Sequence, residues 1–168
     1  MNVRDVEVLY DYGYWANQKL FQVVSDLTQE QFAQPVAGSY GSIRNTLVHA
    51  LSAEWGWLER CGGKVRGPRL TPDNYPTVAS LAEAWDKVEG YVREFLSGLR
   101  EEDLSNDVEF SLGGPETRTM PLEQLMQHAA IHGVHHRAQV AMLLRMLGHE
   151  PGNFDMLIYY SDSRSVRR

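Results

Sequence analysis

Four of the six histidines in this chain crowd into one short stretch, at His128, His132, His135 and His136. Their spacing carries chemical meaning once the stretch is read as a helix. At about 100° per residue, His132 and His136 lie some 40° apart, on an arc shared with Leu125, Ala129, Val140, Leu143 and Leu147. These two rings are expected to point into a core, whereas His128 and His135 fall toward the edge of that arc, where they suit contacts around a site or with solvent. Residues four apart on a helix stack with Cβ atoms about 5–6 Å apart, so two imidazole nitrogens can converge on one ion at about 2.0–2.1 Å each. Left without partners, two buried imidazoles would cost about 1–3 kcal/mol per unsatisfied group. The bland alternative is a pair of satisfied core histidines or a wet crevice, and a bare H-x3-H motif is too short to decide between the two.

A third donor would decide it, and His49 is the histidine on another expected helix. Its helical neighbours Asn45, Thr46, Ser52, Ala53 and Gly56 are small or short, leaving room for an ion and its waters. Three imidazoles from two helices would leave one to three coordination positions open, which is the pattern of a reactive centre rather than a closed structural one. Neutral imidazoles bring no charge, so a divalent ion stays fully cationic and can lower the pKa of a bound water or thiol. The donor set accepts Zn, Ni, Co, Fe or Mn, with availability deciding among them. Around this centre, Asn17 sits mid-stripe among Val6, Tyr10, Tyr14, Phe21 and Val24 and needs partners: a helix-to-helix hydrogen bond is the plain reading, a contact at the site or with substrate the second. Glu54 and Asp11 could hold a histidine N–H, though solvated surface charges are the default. Tyr10, Tyr14, Trp55, Trp57 and Trp85 read first as core aromatics and second as the wall of a pocket. Arg137 and Arg145 lie off the apolar stripe and are expected at the surface.

Five helical segments must position these groups. The first runs from about Val3 to Leu27, with Thr28 and Gln31 forming a capping box for a short extra turn that ends near Pro35. Ser42 caps a second long helix through Cys61, which Gly62 and Gly63 terminate. After a loop to Thr77, Ser80 opens a third helix that closes near Gly98 or Leu99. Between Asp107 and Met120, β-prone residues flank Gly113-Gly114-Pro115 and suggest a short hairpin. Pro121 suits the first turn of the fourth long helix, which Gly148 stops. A last helix is expected over Asn153 to Ser161. The fold class is therefore all-α: one domain over residues 1–168, a four-helix bundle with an additional C-terminal helix and a short β-hairpin before the fourth long helix.

Composition narrows the function classes. With 22 acidic against 16 basic residues, the chain lacks the basic excess that nucleic-acid binding needs, so nucleic acid is not an expected partner. The terminal Arg164, Arg167 and Arg168 read as a solvated tail. No apolar run approaches a membrane span, and no secretion signal opens the chain. A lone cysteine, Cys61, fits a reducing, cytoplasmic setting.

The run from His132 to Val140, the following Leu143 to Gly148, the N-terminal Tyr12 to Leu20, the Leu47-Val48-His49 step and Asp155 to Tyr159 together resemble the signature of the DinB/YfiT-like metalloprotein family. The resemblance spans nearly the whole chain. It implies a four-helix bundle, often a homodimer, with a metal held by one histidine of the second helix and an H-x3-H pair of a later one, which map onto His49, His132 and His136. Ala138 departs from the glycine that many relatives carry after the His-Arg pair. In some relatives the chemistry is thiol transfer or thiol-dependent isomerisation. The leading expectation is thus a metal-dependent thiol S-transferase or hydrolase acting on a small molecule, with a low-molecular-weight thiol as candidate substrate. Two alternatives remain: a non-catalytic, stress-related bundle whose ion is mainly structural, and a helical dimer with no ion.

Overall fold

In the computed structural model, residues 1–64 and 67–166 are described, the last four by backbone only. The basic tail at Arg164, Arg167 and Arg168 lies outside the described side chains. The elements run α1 (Val3–Val24), α2 (Gln29–Ala33), α3 (Ile43–Cys61), α4 (Val78–Ser97), β1 (Asp107–Ser111), β2 (Thr117–Pro121), α5 (Leu122–Met146) and α6 (Met156–Val166), with short 3-10 turns at Pro72–Asn74 and Glu101–Ser105.

Local chemistry explains most boundaries. Thr28 and Gln31 do form a capping box ahead of α2, and the Ser42 side chain accepts from Asn45 N to start α3. The third long helix begins earlier than expected, because Thr77 is its cap and Ser80 is the third residue that closes the capping box. Pro121 ends β2 opposite Asp107 instead of entering the helix, and Leu122 N donates to Asn106 O as α5 begins. The last helix starts at Met156, later than Asn153, because the Asn153 side chain accepts from Asp155 N and holds that segment in a turn. α1 stops at Val24, where Leu27 N turns back onto Val24 O.

The hairpin is real and antiparallel, pairing Val108 with Met120 and Phe110 with Arg118. It lies against α3, with the Phe110 ring edge-on to Trp57.

Four long helices form the bundle. α5 packs against both α3 and α1, and α4 packs against the same two from the other side. α1 and α3 therefore stand diagonally, as do α4 and α5. The chain makes its two diagonal crossings through segments 25–42 and 98–121. One apolar cluster unites these helices, with Leu20, Val24, Phe32, Ile43, Leu51, Leu81, Val140 and Leu144 at 0 or 1% exposure. Each such side chain contributes about 1.5–3 kcal/mol when removed from water. Among the described residues, no helix is long and apolar enough to cross a membrane.

Candidate metal centre

Because α5 is contacted on two sides, it buries more than one stripe, and its adjacent residues His136 and Arg137 are both interior, at 4% and 6% exposure. They face different neighbours. His136 turns toward α3, where His49 and His132 meet it: its ring centroid lies 4.3 Å from that of His132 and 4.6 Å from that of His49. One ligand atom from each of the three lies within 4.8 Å of the other two. His49 and His132 are half-buried, so the cluster sits at the rim of the core with one side open.

Hydrogen bonds set the tautomers. His136 Nδ1 lies 2.7 Å from Gln139 Oε1, and a carbonyl oxygen only accepts, so Nδ1 carries the proton and Nε2 is left with its lone pair. That bare nitrogen lies 3.1 Å from His132 Nε2. Two nitrogens bound to one ion at about 2.1 Å stand about 3.0–3.4 Å apart for right-angle to tetrahedral arrangements, so the observed spacing already matches two ligand positions. Burial first, and then the neighbouring His136 and His49, push His132 down from 6.5 to about 4. Burial also lowers His136, partly offset by the Gln139 hydrogen bond. At neutral pH both rings are thus uncharged lone-pair donors, the form a metal needs.

Two residues that the sequence did not single out complete this picture. Tyr40 stacks on the His49 ring at a centroid distance of 3.9 Å, with its hydroxyl 2.9 Å from His49 Nε2. It is held there by a turn in which Gly38, Ser39 and Gly41 take positive φ, and by Asn45 Nδ2 donating to Tyr40 O. Gln139 accepts a second hydrogen bond from Ser39 Oγ at 2.9 Å, so it ties that turn to His136. Its Nε2 donates to His135, whose ring is edge-on to His136. Gln139 could have been found from its place three residues after His136 on one helix, whereas the Tyr40 contact depends on how the turn at Gly38 to Gly41 folds.

His128 is exposed and edge-on to Trp57 at 4.6 Å, with its ring 5.9 Å from His132. Together with His49, His132, Tyr40, Trp57 and Arg69 it lines a cavity of about 430 Å³ beside the three rings. That volume is within the range of small-molecule sites.

On the opposite flank of α5, expectation and structure part. Arg137 is not at the surface: its Nη1 donates to Asn17 Oδ1 at 3.2 Å, and its guanidinium lies 5.6 Å from the Tyr12 ring centre. Gly133 makes room for it, since a Cβ there would come 3.1 Å from Nη1. Asn17 is consequently a helix-to-helix hydrogen-bond partner. Glu54 holds no histidine either: Tyr14 Oη donates to it at 2.7 Å and Trp85 Nε1 at 3.1 Å. Burial raises the Glu54 carboxyl, with these hydrogen bonds and the Arg137 charge opposing, and burial raises the Tyr14 hydroxyl strongly. Asp11 pairs with Arg93. Asn17, Tyr14 and Glu54 thus belong to a polar knot between α1, α3, α4 and α5, beside a crevice of only about 20 Å³.

The profile of the DinB family matches residues 1–164. The protein DinB of Bacillus subtilis is 24% identical over 156 residues, covering 90% of this chain and 91% of that one. A DinB-like protein from Bacillus cereus superposes with a TM-score of 0.72 at 22% identity, over 90% of this chain and 97% of the other. YfiT from Bacillus subtilis, described as a probable metal-dependent hydrolase with an unusual four-helix bundle topology, gives a TM-score of 0.62 at 19% identity, over 86% of each chain. These two structures share the fold.

Proposed function

From the premise that the chain belongs to the DinB family, we propose that it holds one divalent transition metal through His49, His132 and His136 and acts on a small molecule in the adjoining cavity, as a thiol S-transferase or hydrolase. The carrying observation is the convergence of three imidazoles from two helices beside a cavity of about 430 Å³. The description of YfiT as a metal-dependent hydrolase supports the same reading. When bound, the ion supplies Lewis acidity toward a water or thiol.

The chain's own groups do the rest. Gln139 keeps the proton on His136 Nδ1 and so aims Nε2 inward. Trp57 and Tyr40 wall the cavity and exclude water from one side. Cys61 is not among the described residues lining the cavity, and burial pushes its thiol up to about 12, so on the transferase reading the reacting thiol would be supplied by a small molecule. The homodimer belongs to the same proposal, with the exposed Ile131, Met142 and Met146 of α5 and Leu157 of α6 as the apolar surface a second copy would cover.

Elemental analysis of untagged protein, with anomalous scattering at the candidate edges, tests the metal: about one ion per chain is expected, bonded to the three named rings. Thiol consumption across an electrophile panel then tests the chemistry. Metal bound without any turnover would favour the second reading, a stress-related bundle in which the ion ties α3 to α5 and chelation lowers the melting temperature.

A further inference from the structure

The walls of the cavity beside the three histidines have an unusual charge. In a chain with 22 acidic and 16 basic residues, no aspartate or glutamate is among the described residues lining it, whereas Arg60 and Arg69 both are. The two guanidiniums are placed differently. Arg60 is buried on α3, with Nη1 donating to Gly56 O and with Nε and Nη2 donating to Ser111 O of β1. Its guanidinium carbon also lies 4.9 Å from the Trp57 ring centre. It is therefore a fixed positive charge in the wall.

Arg69 is exposed and makes no ion pair or side-chain hydrogen bond among the described residues. Its backbone is nevertheless pinned on both sides: Gly67 N donates to Glu59 Oε2 at 2.8 Å, and Leu70 N donates to Ser52 Oγ at 3.0 Å. The same two arginines, with Lys64, also line a neighbouring groove in which Glu109 is the one acid among the described residues. Trp57 stands between the two groups, its ring 4.6 Å from that of His128 and 4.9 Å from the Arg60 guanidinium carbon, and Val48, Leu70, Pro72 and Leu112 add apolar surface to the lining.

A cavity lined by imidazoles, by guanidiniums and by apolar side chains, with Trp57 between His128 and Arg60, selects a ligand with matching parts. We propose that the substrate is anionic: a small molecule whose reacting group faces the histidine centre and whose carboxylate, phosphate or sulfonate is taken by Arg69 in the field of Arg60. A guanidinium binds such oxyanions through paired N–H donors, and a fixed positive wall raises their local concentration in a chain that otherwise repels them. This inference rests on the metal reading above and adds the charge of the ligand to it.

Cobalt(II)-loaded protein provides the test, titrated with mercaptohexanoate and with mercaptohexanol, two thiols of equal length that differ only in the far end. Thiolate binding is read from the cobalt absorption. The carboxylate thiol should bind about tenfold more tightly at low salt. Arg69→Gln should bring the two affinities together and Arg69→Glu should invert them, each with the cobalt spectrum before thiol unchanged, which checks the fold. Equal affinities in the parent protein, or a preference that survives Arg69→Glu, overturn the anionic substrate alone. Failure to bind cobalt at all overturns the metal reading and this inference with it.

Discussion

Adjacent residues of one helix, His136 and Arg137, face two polar regions that differ in what is left unfinished. On the Arg137 side, Arg137 Nη1 donates to Asn17, Tyr14 and Trp85 donate to Glu54, only Nε of Arg137 among the fully buried polar atoms of these side chains has no hydrogen-bond partner, and the remaining space is about 20 Å³. On the His136 side, the Nε2 atoms of His136 and His132 lie 3.1 Å apart and the neighbouring cavity is about 430 Å³. Both regions bury polar atoms at similar depth, so burial alone does not distinguish a packing device from a candidate centre. What distinguishes them is whether protein groups satisfy each other or point donor atoms at open space.

The contrast makes separable predictions. Its largest consequence is a swap of effects between neighbours. His136→Ala should cut metal affinity by more than about a hundredfold and leave the metal-free melting temperature nearly unchanged, while Arg137→Met should lower stability by about 2–4 kcal/mol, through the orphaned Asn17 oxygen, and leave metal stoichiometry intact. Calorimetry and metal analysis of both variants read this, and matching losses in both would erase the distinction. Next in size, Gln139→Leu removes the acceptor that fixes His136 Nδ1–H and should weaken metal binding about ten- to hundredfold with little change in folding.

The smallest effect is in acid. His132 is held at about 4 in the folded protein against 6.5, so the unfolded chain takes up its proton first and metal-free stability should fall as pH drops from about 6.5 toward 4. Half-exposure of the ring limits this to about 1–2 kcal/mol. Glu54 acts with the opposite sign: its raised carboxyl favours proton uptake by the folded state, so the polar knot gains as pH falls through the folded value toward the ordinary one. Denaturant melts across this range should show the decline shrink in His132→Asn, and an unchanged decline would locate the titration elsewhere.

The sequence made one side of this contrast readable and hid the other. The H-x3-H spacing and the small residues around His49 follow from helical periodicity, and so do the capping box at Thr28 and the cap at Ser42. Arg137 was misplaced because a single helix's stripe says nothing about a second contacting helix, and α5 has both α1 and α3 against it. Glu54 looked like surface charge for the same reason, since its partners Tyr14 and Trp85 come from α1 and α4. Gln139 was legible at three residues after His136 but was passed over, while Tyr40 gains its meaning only when the turn at Gly38 to Gly41 lays its ring on His49.

The diagonal crossing from α4 to α5 also bears on assembly. His49 and His132 are separated by roughly half the chain, and bringing two such distant points together has an entropic cost of about 4 kcal/mol. During synthesis the three-ring cluster therefore has no counterpart until the last long helix has emerged and docked. On the proposed reading, ion capture would be tied to completed folding, and a chain truncated before α5 would keep only His49 of the three rings.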